Sequence, residues 1–347
     1  MPNMDDSHEQ KINLSICIPT YNFGAYIGAT LDSILCQMLP DMEIIIVDGG
    51  SEDNTEEVVM AYQKLCPHIV YHKLPAKGGI DHDMALSVSL ARGDYCWLFS
   101  SDDIMKPDAI QKVYQQLIAE HDVFICGFTI HSIDFSQVII RHPIFHTDKD
   151  IIFNMQNQAD YKLFFELAVT TTAFFSFMSS LIFKKTTWNA AGNVDEFYGG
   201  CWAHAARFFS MLSTLKVKYL HDIYLEKRSG NDSFMDKGII HRVGISVYGW
   251  NHIANKYLGK YTKEAFHIRR VLRSEWFFAE MKAINDLKLA KENKAAMKKL
   301  IKALYSDLTY ECHLNKAQLL YPFYARILLF IERNYYRVVR RLTRLIL

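Results

Sequence analysis

Residues 15–35 read SICIPTYNFGAYIGATLDSIL, and residues 43–55 read EIIIVDGGSEDNT. In each stretch a short apolar run ends at polar residues, and a segment with helical features follows. The same order returns through residues 69–99, and Pro107 is predicted to lie in the first turn of a further helix. Alternating strands and helices of this kind predict an α/β fold, in which a mostly parallel sheet carries helices on both faces.

The boundaries of the elements follow from the apolar pattern. The predicted strands are residues 14–19, 43–47, 69–73 and 95–99. The predicted helices are residues 23–37, a segment that starts at Asp53, and residues 80–91. Glu56 lies three residues after Asp53, which predicts a capping box. Residues 123–140 have the pattern of a hairpin, and residues 239–304 have a helical pattern, which predicts a helical extension after the sheet.

Polar clusters follow three of the strands, at residues 20–22, 48–51 and 100–103. Ligands of parallel sheets bind beyond the carboxyl ends of the strands, so these clusters point to one site. Asp48 can accept hydrogen bonds from a nucleobase or a ribose, although Asp-Gly is also a common turn. Asp102 and Asp103 offer oxygen ligands suited to Mg²⁺ or Mn²⁺, and the alternative is that they cap the next helix.

With residues 78–103, GGIDHDMALSVSLARGDYCWLFSSDD, these stretches make the chain resemble family 2 glycosyltransferases of the GT-A fold over about residues 12–235. Such enzymes transfer a sugar from a nucleotide diphosphate donor, usually with a divalent metal, so the resemblance implies Mn²⁺ or Mg²⁺. The WLFSSDD block and the tract through CWAHAARFF are most similar to O-antigen abequosyltransferases. That similarity implies a CDP-sugar donor, with a UDP- or GDP-sugar as the alternative, and an undecaprenyl-diphosphate-linked oligosaccharide acceptor.

The resemblance also implies roles for individual residues. The residues that it places around the donor are Pro19, Thr20 and Tyr21 in the first loop, Asp48 at the base and ribose, Gly79, Ile80, Asp81 and Asp83 at a helix start, and Ser101 and Asp102 in the metal-binding DxD motif, with Asp103 next to them. The chain departs from the family where Ser100 replaces the first aspartate of that motif. Loss of one carboxylate is expected to weaken the metal site, because ligand charge helps to set affinity.

The catalytic base is the second departure. The family places an acidic base at the start of a helix, but here Trp202, Ala203 and His204 occupy that region. His204 can accept the proton of an acceptor hydroxyl, and Asp195 and Glu196 compete with it for that role. If the reaction retains configuration, His204 would orient the acceptor and Trp202 would stack on a sugar. A core histidine without a catalytic role is the remaining alternative.

Arg228 lies in the loop-like run KRSGNDS after an apolar segment. Its guanidinium is suited to a bidentate grip on a diphosphate, and a solvated loop arginine is the alternative.

Residues 321–347 carry six arginines and one acidic residue, a net charge of about +5 in a chain whose net charge is +1. On a helix the arginines share an arc of about 100°, opposite an apolar face. Such a helix is typical of the interface of an anionic membrane, and packing on another protein surface is the alternative. The chain is therefore predicted to comprise a catalytic domain at 1–235, a helical connector or oligomer surface at 236–320, and a membrane-interface helix at 321–347.

Composition excludes several protein classes. With 22% charged and 50% hydrophobic residues, the 347-residue chain is globular, and its net charge gives no case for a nucleic-acid binder. Seven scattered cysteines without a CxxC spacing argue against a disulfide framework or a structural zinc site. The polar N-terminus is unlike a signal peptide, so we expect a cytoplasmic protein that docks on the inner membrane.

Two enzyme classes with related folds are disfavoured, because no glycine-rich phosphate loop follows the first strand. Those classes are nucleotidyltransferases and dinucleotide-dependent dehydrogenases. A non-enzyme alternative stays open at this point: an inactive relative that binds at the membrane through its tail. The loss of the carboxylate at Ser100 favours it, and the presence of Asp48, Asp102 and Asp103 argues against it.

Overall fold

The computed structural model describes residues 11–276 and 291–304. These residues form two compact units. The first contains residues 11–142, 147–161 and 175–231, and the second contains residues 143–146, 162–174, 232–276 and 291–304. The predicted helix at 321–347 lies outside the described residues, and the predicted domain boundary near residue 235 stays a prediction.

Strands and helices alternate through the first half of the chain. The strands are β1 Leu14–Thr20, β2 Met42–Asp48, β3 Ile69–Lys73, β4 Tyr95–Leu98, β5 Ile104–Met105, β6 Val123–His131, β7 Val138–Arg141, β8 Ile151–Asn154, β9 Leu181–Lys184 and β10 Lys216–Arg228. The helices are α1 Gly24–Leu35, α2 Thr55–Leu65, α3 Ile80–Leu90, α4 Ala109–Leu117, α5 Gln158–Leu167, α6 Lys185–Ala190, α7 Ala203–Ser210, α8 Ile239–Ile253, α9 Lys263–Glu275 and α10 Lys291–Leu304. The hairpin prediction is confirmed, because β6 and β7 pair antiparallel.

One sheet organises the first unit, in the order β3-β2-β1-β4-β9-β6-β10-β5. Neighbours among β3, β2, β1 and β4 are parallel, and so are β6 and β10. Because β9 is antiparallel to both β4 and β6, all six of these strands run in one direction. Their carboxyl ends therefore share one edge of the sheet. The predicted α/β fold with a mostly parallel sheet is confirmed.

The apolar runs predict the central strands correctly because these strands are buried on both faces. Every residue of β1, β2 and β4 is buried, as expected for parallel strands with helices on both faces. Helix α3 packs against β1 and β2. This packing holds the first turn of α3 at the sheet edge where β1 and β2 end.

The second unit contains the helical extension, which is confirmed for the described residues by α8, α9 and α10. Three arginines of α9 are buried in it: Arg269, Arg270 and Arg273. Arg269 Nε donates to Asn251 Oδ1 at 2.7 Å. Arg273 Nη1 donates to the carbonyl of Leu304 at 2.9 Å, which links α9 to α10. No helix in the described part of the chain is long and apolar enough to cross a membrane.

Two helix starts differ from prediction. Helix α2 begins at Thr55, and the Glu56 carboxylate accepts a hydrogen bond from Lys73 Nζ at 2.6 Å, so the predicted capping box is wrong. Asp53 Oδ1 instead accepts from Thr55 N at 3.0 Å. Pro107 lies before α4 rather than in its first turn, because Asp108 has a left-handed φ of 63° and the helix starts after it.

Candidate functional site

Asp48 ends β2, and its carboxylate is fully buried. Oδ1 accepts a hydrogen bond from Ser51 N at 2.7 Å, and Oδ2 accepts one from the hydroxyl of Tyr71 at 2.6 Å. Burial and the Asp48 charge raise the pKa of Tyr71, so the phenol stays a donor. Gly50 turns the chain with a φ of 83°, and a side chain there would meet the backbone of Ala76. Asp48 thus stabilises the turn that is predicted to bind the nucleobase.

An open cavity of about 530 Å³ lies beside this turn. Its lining residues are Gly50, Ser51, Glu52, Lys73, Leu74 and Pro75. The backbone N–H of Leu74 donates to the carbonyl of Asp48 at 2.8 Å, which ties the far wall of the cavity to β2. Tyr21, in the first predicted donor loop, lies under the Lys77 ammonium at 3.8 Å from its ring centre. The cavity is of the size that small ligands occupy.

Asp83 is the second carboxylate of this region. It is 3% exposed, and its Oδ1 has no hydrogen-bond partner among the described residues. A Cβ on Gly49 would lie 2.7 Å from Asp83 Oδ2, so the side chain reaches the turn after Asp48. Burial, helped by the charge of Asp48, raises the pKa of Asp83 to about 6. The hydroxyl of Thr20 is likewise buried without a partner in the described residues.

Asp81 is engaged differently from Asp83. Its Oδ2 accepts from the backbone N–H groups of Gly199 and Cys201, both at 2.9 Å. Its Oδ1 accepts from Ala203 N at 3.0 Å. The carboxylate therefore holds the loop that leads into α7. The structure brings this predicted donor residue to the region predicted to bind the acceptor.

Asp102 follows β4 and is the least enclosed of the four acidic side chains near the two strand ends, at 8% exposed. Its Oδ1 accepts from the hydroxyl of Ser100, the residue that replaces the first DxD aspartate. Its Oδ2 accepts from Asn231 Nδ2 at 2.6 Å. Asn231 comes from the segment after β10, so the parallel sheet joins two distant stretches at one carboxylate. Ser101, between Ser100 and Asp102, is buried.

Asp103 points into the protein and is 1% exposed. Oδ2 accepts from the Ser179 hydroxyl at 2.6 Å, and Oδ1 accepts from Arg228 N at 3.1 Å. Burial and the neighbouring Asp102 charge raise the pKa of Asp103 to about 8. The hydroxyl of Thr30 fixes the same turn from α1 by donating to the carbonyl of Asp103 at 2.9 Å. Asp103 is more deeply buried than Asp102 and faces Ser179 and Arg228, so we do not carry it into the proposed metal site.

Arg228 lies at the end of β10, directly against this turn. Its Nε donates to the carbonyl of Asp102 at 3.0 Å, and its Nη1 donates to the carbonyl of Ile133. The guanidinium lies between the rings of Tyr26 and Phe135, at 4.6 and 4.4 Å from their centres. In this arrangement the arginine that the sequence predicts to grip a diphosphate supports the Asp102 turn.

The candidate bases lie in two environments. Asp195 and Glu196 are exposed on a short 3₁₀ helix. His204 lies in the first turn of α7 and is 4% exposed, and Trp202 beside it is 8% exposed. Burial lowers the pKa of His204, and the carboxylate of Asp81 opposes that shift. A histidine with a lowered pKa is neutral near pH 7, which is the form that accepts a proton.

The side chains at Asp102 offer the type of ligand that a divalent metal takes, but only two such ligands in the part of the chain that the structure describes. A carboxylate oxygen and the Ser100 hydroxyl are hard oxygen ligands of the type that Mg²⁺ and Mn²⁺ take. Within the described residues no group of three His, Cys, Asp or Glu side chains is placed to hold a metal ion. The residues therefore fit a metal that takes its remaining ligands from a diphosphate and water.

The two acidic regions face one edge of the sheet. Strand β1 pairs with β2 on one side and with β4 on the other, all parallel. Neighbouring strands lie about 4.8 Å apart, so β2 and β4 lie about 10 Å apart across the sheet. That distance is comparable to the span from a nucleobase to its diphosphate. The sequence missed Tyr71, Ser179 and Asn231, because a lone Tyr, Ser or Asn carries no spacing signal before the fold is known.

Comparison with a family model and with known proteins points to glycosyltransferases in each case. The model for "Glycosyl transferase family 2" matches residues 15–185. Abequosyltransferase RfbV of Salmonella typhimurium is 29% identical over 275 residues, which cover 77% of this chain and 83% of that protein. The Staphylococcus aureus protein TarS, solved with UDP-GlcNAc, aligns with a TM-score of 0.58 at 16% identity over 84% of this chain and 82% of that one.

A second solved structure supports the same fold. The mannosyltransferase PcManGT from Pyrobaculum calidifontis, solved with GDP-Man and Mn²⁺, aligns with a TM-score of 0.53 at 15% identity. The alignment covers 87% of this chain and 89% of that one. At such low identity these two structures establish the fold alone. The family and its glycosyltransferase activity rest on the matched model and the sequence relative, which confirms the resemblance and disfavours the inactive relative.

Proposed function

This chain belongs to glycosyl transferase family 2, and from that premise we propose that it transfers abequose from CDP-abequose to a lipid-linked oligosaccharide in the synthesis of a surface polysaccharide. The observation that carries the proposal is the placement of the Asp48 turn and the Asp102 turn at one sheet edge, two parallel strands apart. A nucleotide that lies across the end of β1 would reach both turns.

The identity of the donor rests on the sequence relative. An abequosyltransferase matches 77% of this chain at 29% identity, well beyond the strand-end motifs. The alternatives are a UDP-sugar and a GDP-sugar, because the fold neighbours were solved with UDP-GlcNAc and GDP-Man. The cavity beside Gly50 and Lys73 is the proposed place of the nucleoside.

The proposed diphosphate position lies at Asp102. Asp102 and the Ser100 hydroxyl would hold Mn²⁺ or Mg²⁺, which when bound neutralises charge on the donor diphosphate. The orientation of Asp102 is set by the amide of Asn231 and by the contact of Arg228 with its backbone. This chain thus replaces one carboxylate of the motif by a hydroxyl, and the oxygens of the other accept from the neutral side chains of Ser100 and Asn231.

Transfer forms a bond between an acceptor hydroxyl oxygen and C1 of the sugar, and it breaks the bond from C1 to the diphosphate oxygen. The leaving CDP keeps that electron pair, and the hydroxyl proton passes to a base. We propose His204 as that base for an inverting reaction, with Asp195 and Glu196 as the alternatives. In a retaining reaction, His204 would orient the acceptor and Trp202 would contact its sugar.

The membrane part of the proposal rests on sequence. Residues 321–347 would lie on the anionic inner surface of the membrane and bring the site to an undecaprenyl-linked acceptor. We expect a chain without residues 326–347 to leave the membrane fraction in a flotation assay while it keeps its affinity for CDP. Unchanged flotation would refute the anchor. Residues 236–320 stay proposed as a connector or an oligomer surface, which light scattering tests.

The first experiment is a calorimetric panel of CDP, UDP, GDP and dTDP, each with and without Mn²⁺. Metal-dependent binding of CDP alone is the expected result, and it leads directly to an assay with CDP-abequose and a mannose-containing lipid acceptor. Tighter binding of UDP or GDP would keep the family and overturn the donor. Binding without any effect of Mn²⁺ would overturn the metal site at Asp102.

The base is tested by His204→Ala under the same conditions. We expect turnover to fall at least about 100-fold, with the Kd for CDP unchanged. An equal loss of CDP affinity would place His204 at the donor instead. Asp195→Asn and Glu196→Gln serve as the matched variants, because one of them would reproduce the loss if its residue were the base.

A further inference from the structure

The first turn of α3 touches two loops that belong to different parts of the proposed reaction. Asp83 reaches the turn after Asp48, where a Cβ on Gly49 would lie 2.7 Å from its Oδ2. Asp81, two residues earlier, accepts three hydrogen bonds from the loop before α7. Between them, His82 packs on the ring of Tyr198 with ring centres 4.4 Å apart.

The loop before α7 depends on the contact with Asp81. Two of its residues, Gly199 and Cys201, have left-handed backbones with φ of 81° and 67°. Such a conformation is costly for a residue other than glycine, so Cys201 needs support from its surroundings. Its backbone N–H points at Asp81 Oδ2 at 2.9 Å, and this hydrogen bond is one such support.

The electrostatics of the contact favour a carboxylate over an amide. Asp81 is 3% exposed, and a buried carboxylate requires hydrogen bonds to its charged form. Three backbone donors supply them at 2.9–3.0 Å. The third donor, Ala203 N, opens α7, where the helix dipole also favours a negative charge. An asparagine would keep the size of the side chain and lose an acceptor oxygen and the charge.

We propose that Asp81 is a positioning residue that ties the donor-side start of α3 to the acceptor-side loop before α7, and so fixes Trp202 and His204 for transfer. The proposal rests on the proposed function, because it assigns the two sides of the site from it. The proposal also moves Asp81 from the predicted donor residues to the acceptor side, because it accepts all three of its hydrogen bonds from the loop before α7. We therefore expect donor binding at the turn after Asp48 to reduce local opening of the loop before α7, because Asp83 and Asp81 lie in the same first turn of α3.

The first test needs no variant. Amide hydrogen exchange of residues 199–203 is measured on the full chain with and without CDP and Mn²⁺. We expect CDP to slow exchange at Cys201 and Ala203 at least about tenfold, because binding would suppress local opening of the loop. Unchanged exchange at a saturating CDP concentration would overturn the coupling. If no nucleotide binds at all, the proposed function fails, and the variant below decides the role of Asp81 by itself.

The second test is Asp81→Asn, with Asp94→Asn as the matched control. Asp94 is an exposed residue whose carboxylate pairs with Lys11 at 2.9 Å, so its replacement should change nothing measurable. Asp81→Asn is expected to speed exchange at residues 199–203 at least about tenfold and to lower kcat at least about tenfold, while the Kd for CDP stays within twofold. Loss of CDP affinity with unchanged loop exchange would overturn the proposal and return Asp81 to the donor site.

A pH profile separates positioning from mere folding. The Asp81 charge raises the pKa of His204 against the effect of burial, so its removal should move the acidic limb of the kcat profile to lower pH. Asp81→Glu keeps the charge and should restore that limb even where turnover stays reduced. An acidic limb that is identical in wild type, Asp81→Asn and Asp81→Glu would contradict the electrostatic effect of Asp81 on the working histidine.

Discussion

A pair of carboxylates lies at the end of β2 and another at the end of β4, and in each pair one carboxylate is more deeply buried than the other. At β2, Asp48 is buried and saturated by protein donors, whereas Asp83 has a buried oxygen without a partner among the described residues. At β4, Asp103 is buried and saturated, whereas Asp102 lies at the rim of the site. In each pair we propose that the more deeply buried carboxylate builds the turn and the other serves the ligand, with Asp102 also oriented by Ser100 and Asn231.

The pairs differ in how the chain supplies the second carboxylate. Asp102 and Asp103 are adjacent in sequence, so one turn sends one side chain inward and the other outward. Asp83 comes from α3, 35 residues after Asp48, and reaches the same turn only because α3 packs on β1 and β2. Sequence position therefore identifies the strand end, and packing decides which acid at that end stays available. The predictions below test that division, from the largest expected effect to the smallest.

The rim carboxylate at β4 should have the largest effect. We expect Asp102→Asn to lower turnover roughly 1000-fold, the scale on which removal of an electrostatic group acts in a dry site. The fold should persist, because Ser100 and Asn231 still meet a polar side chain. Turnover and the Mn²⁺ dependence of CDP binding measure the effect, and circular dichroism measures the fold. Turnover near that of the wild type would break the comparison at β4.

The inward carboxylate at β4 should act on stability first. Asp103→Ala leaves the Ser179 hydroxyl and the Arg228 N–H without their acceptor in a buried place. Two such losses are expected to lower the free energy of unfolding by about 2–4 kcal/mol. Urea denaturation below pH 4 measures this, because there the carboxyl is protonated in both states and its raised pKa does not affect stability. Asp94→Ala is the exposed control. Unchanged stability with lost Mn²⁺ dependence would instead make Asp103 a metal ligand and reverse the roles within the pair.

The same contrast separates what the sequence predicts from what it misses. The strands β1, β2 and β4 and the donor-side loops follow from local apolar runs that the sheet buries on both faces, whereas the edge strand β3 is mostly exposed. The capping box fails because Glu56 finds Lys73 on a neighbouring strand, a contact that local sequence does not contain. Roles that depend on distant partners are missed for the same reason.

Asp81 shows this limit at its clearest. Its partners lie 118–122 residues further along the chain, in a region whose aromatic-rich pattern gives few element boundaries. The sequence correctly predicts that Asp81 opens a helix at the sheet edge, and no pattern indicates which loop it faces. The roles of the predicted donor and metal residues stay predictions.

The unpartnered carboxylate at β2 gives a pH signature. The folded-state pKa of Asp83 is raised from 3.8 to about 6, so its ionised form destabilises the fold above pH 6. Below pH 4 the group is protonated in both states and that cost disappears. Asp83→Asn lacks the charge and should therefore exceed the wild type in stability by about 1–3 kcal/mol at pH 7–8. The gain should shrink as pH falls from 6 to 4.

Urea denaturation of both proteins at pH 4, 5, 6 and 7 measures this gain, and calorimetry measures the CDP affinity that we expect to fall. Higher stability with weaker binding is the pattern of a group kept for a ligand at the expense of the fold. A stability difference that is the same at every pH would show that the Asp83 charge is not the cause. Unchanged CDP affinity would remove Asp83 from the site.

The smallest expected effect tests the saturated carboxylate at β2. Tyr71→Phe removes the phenol that donates to Asp48 Oδ2 at 2.6 Å and leaves the bond from Ser51 N in place. One lost hydrogen bond to a charged, buried acceptor that keeps its second partner should cost about 1.5 kcal/mol of stability. If Asp48 acts mainly by shaping the turn, the affinity for CDP should fall only severalfold, in parallel with that loss. A loss of CDP binding far beyond the loss of stability would mean that Tyr71 orients Asp48 toward the nucleotide, and the saturated acid at β2 would then serve the ligand as directly as Asp102 does at β4.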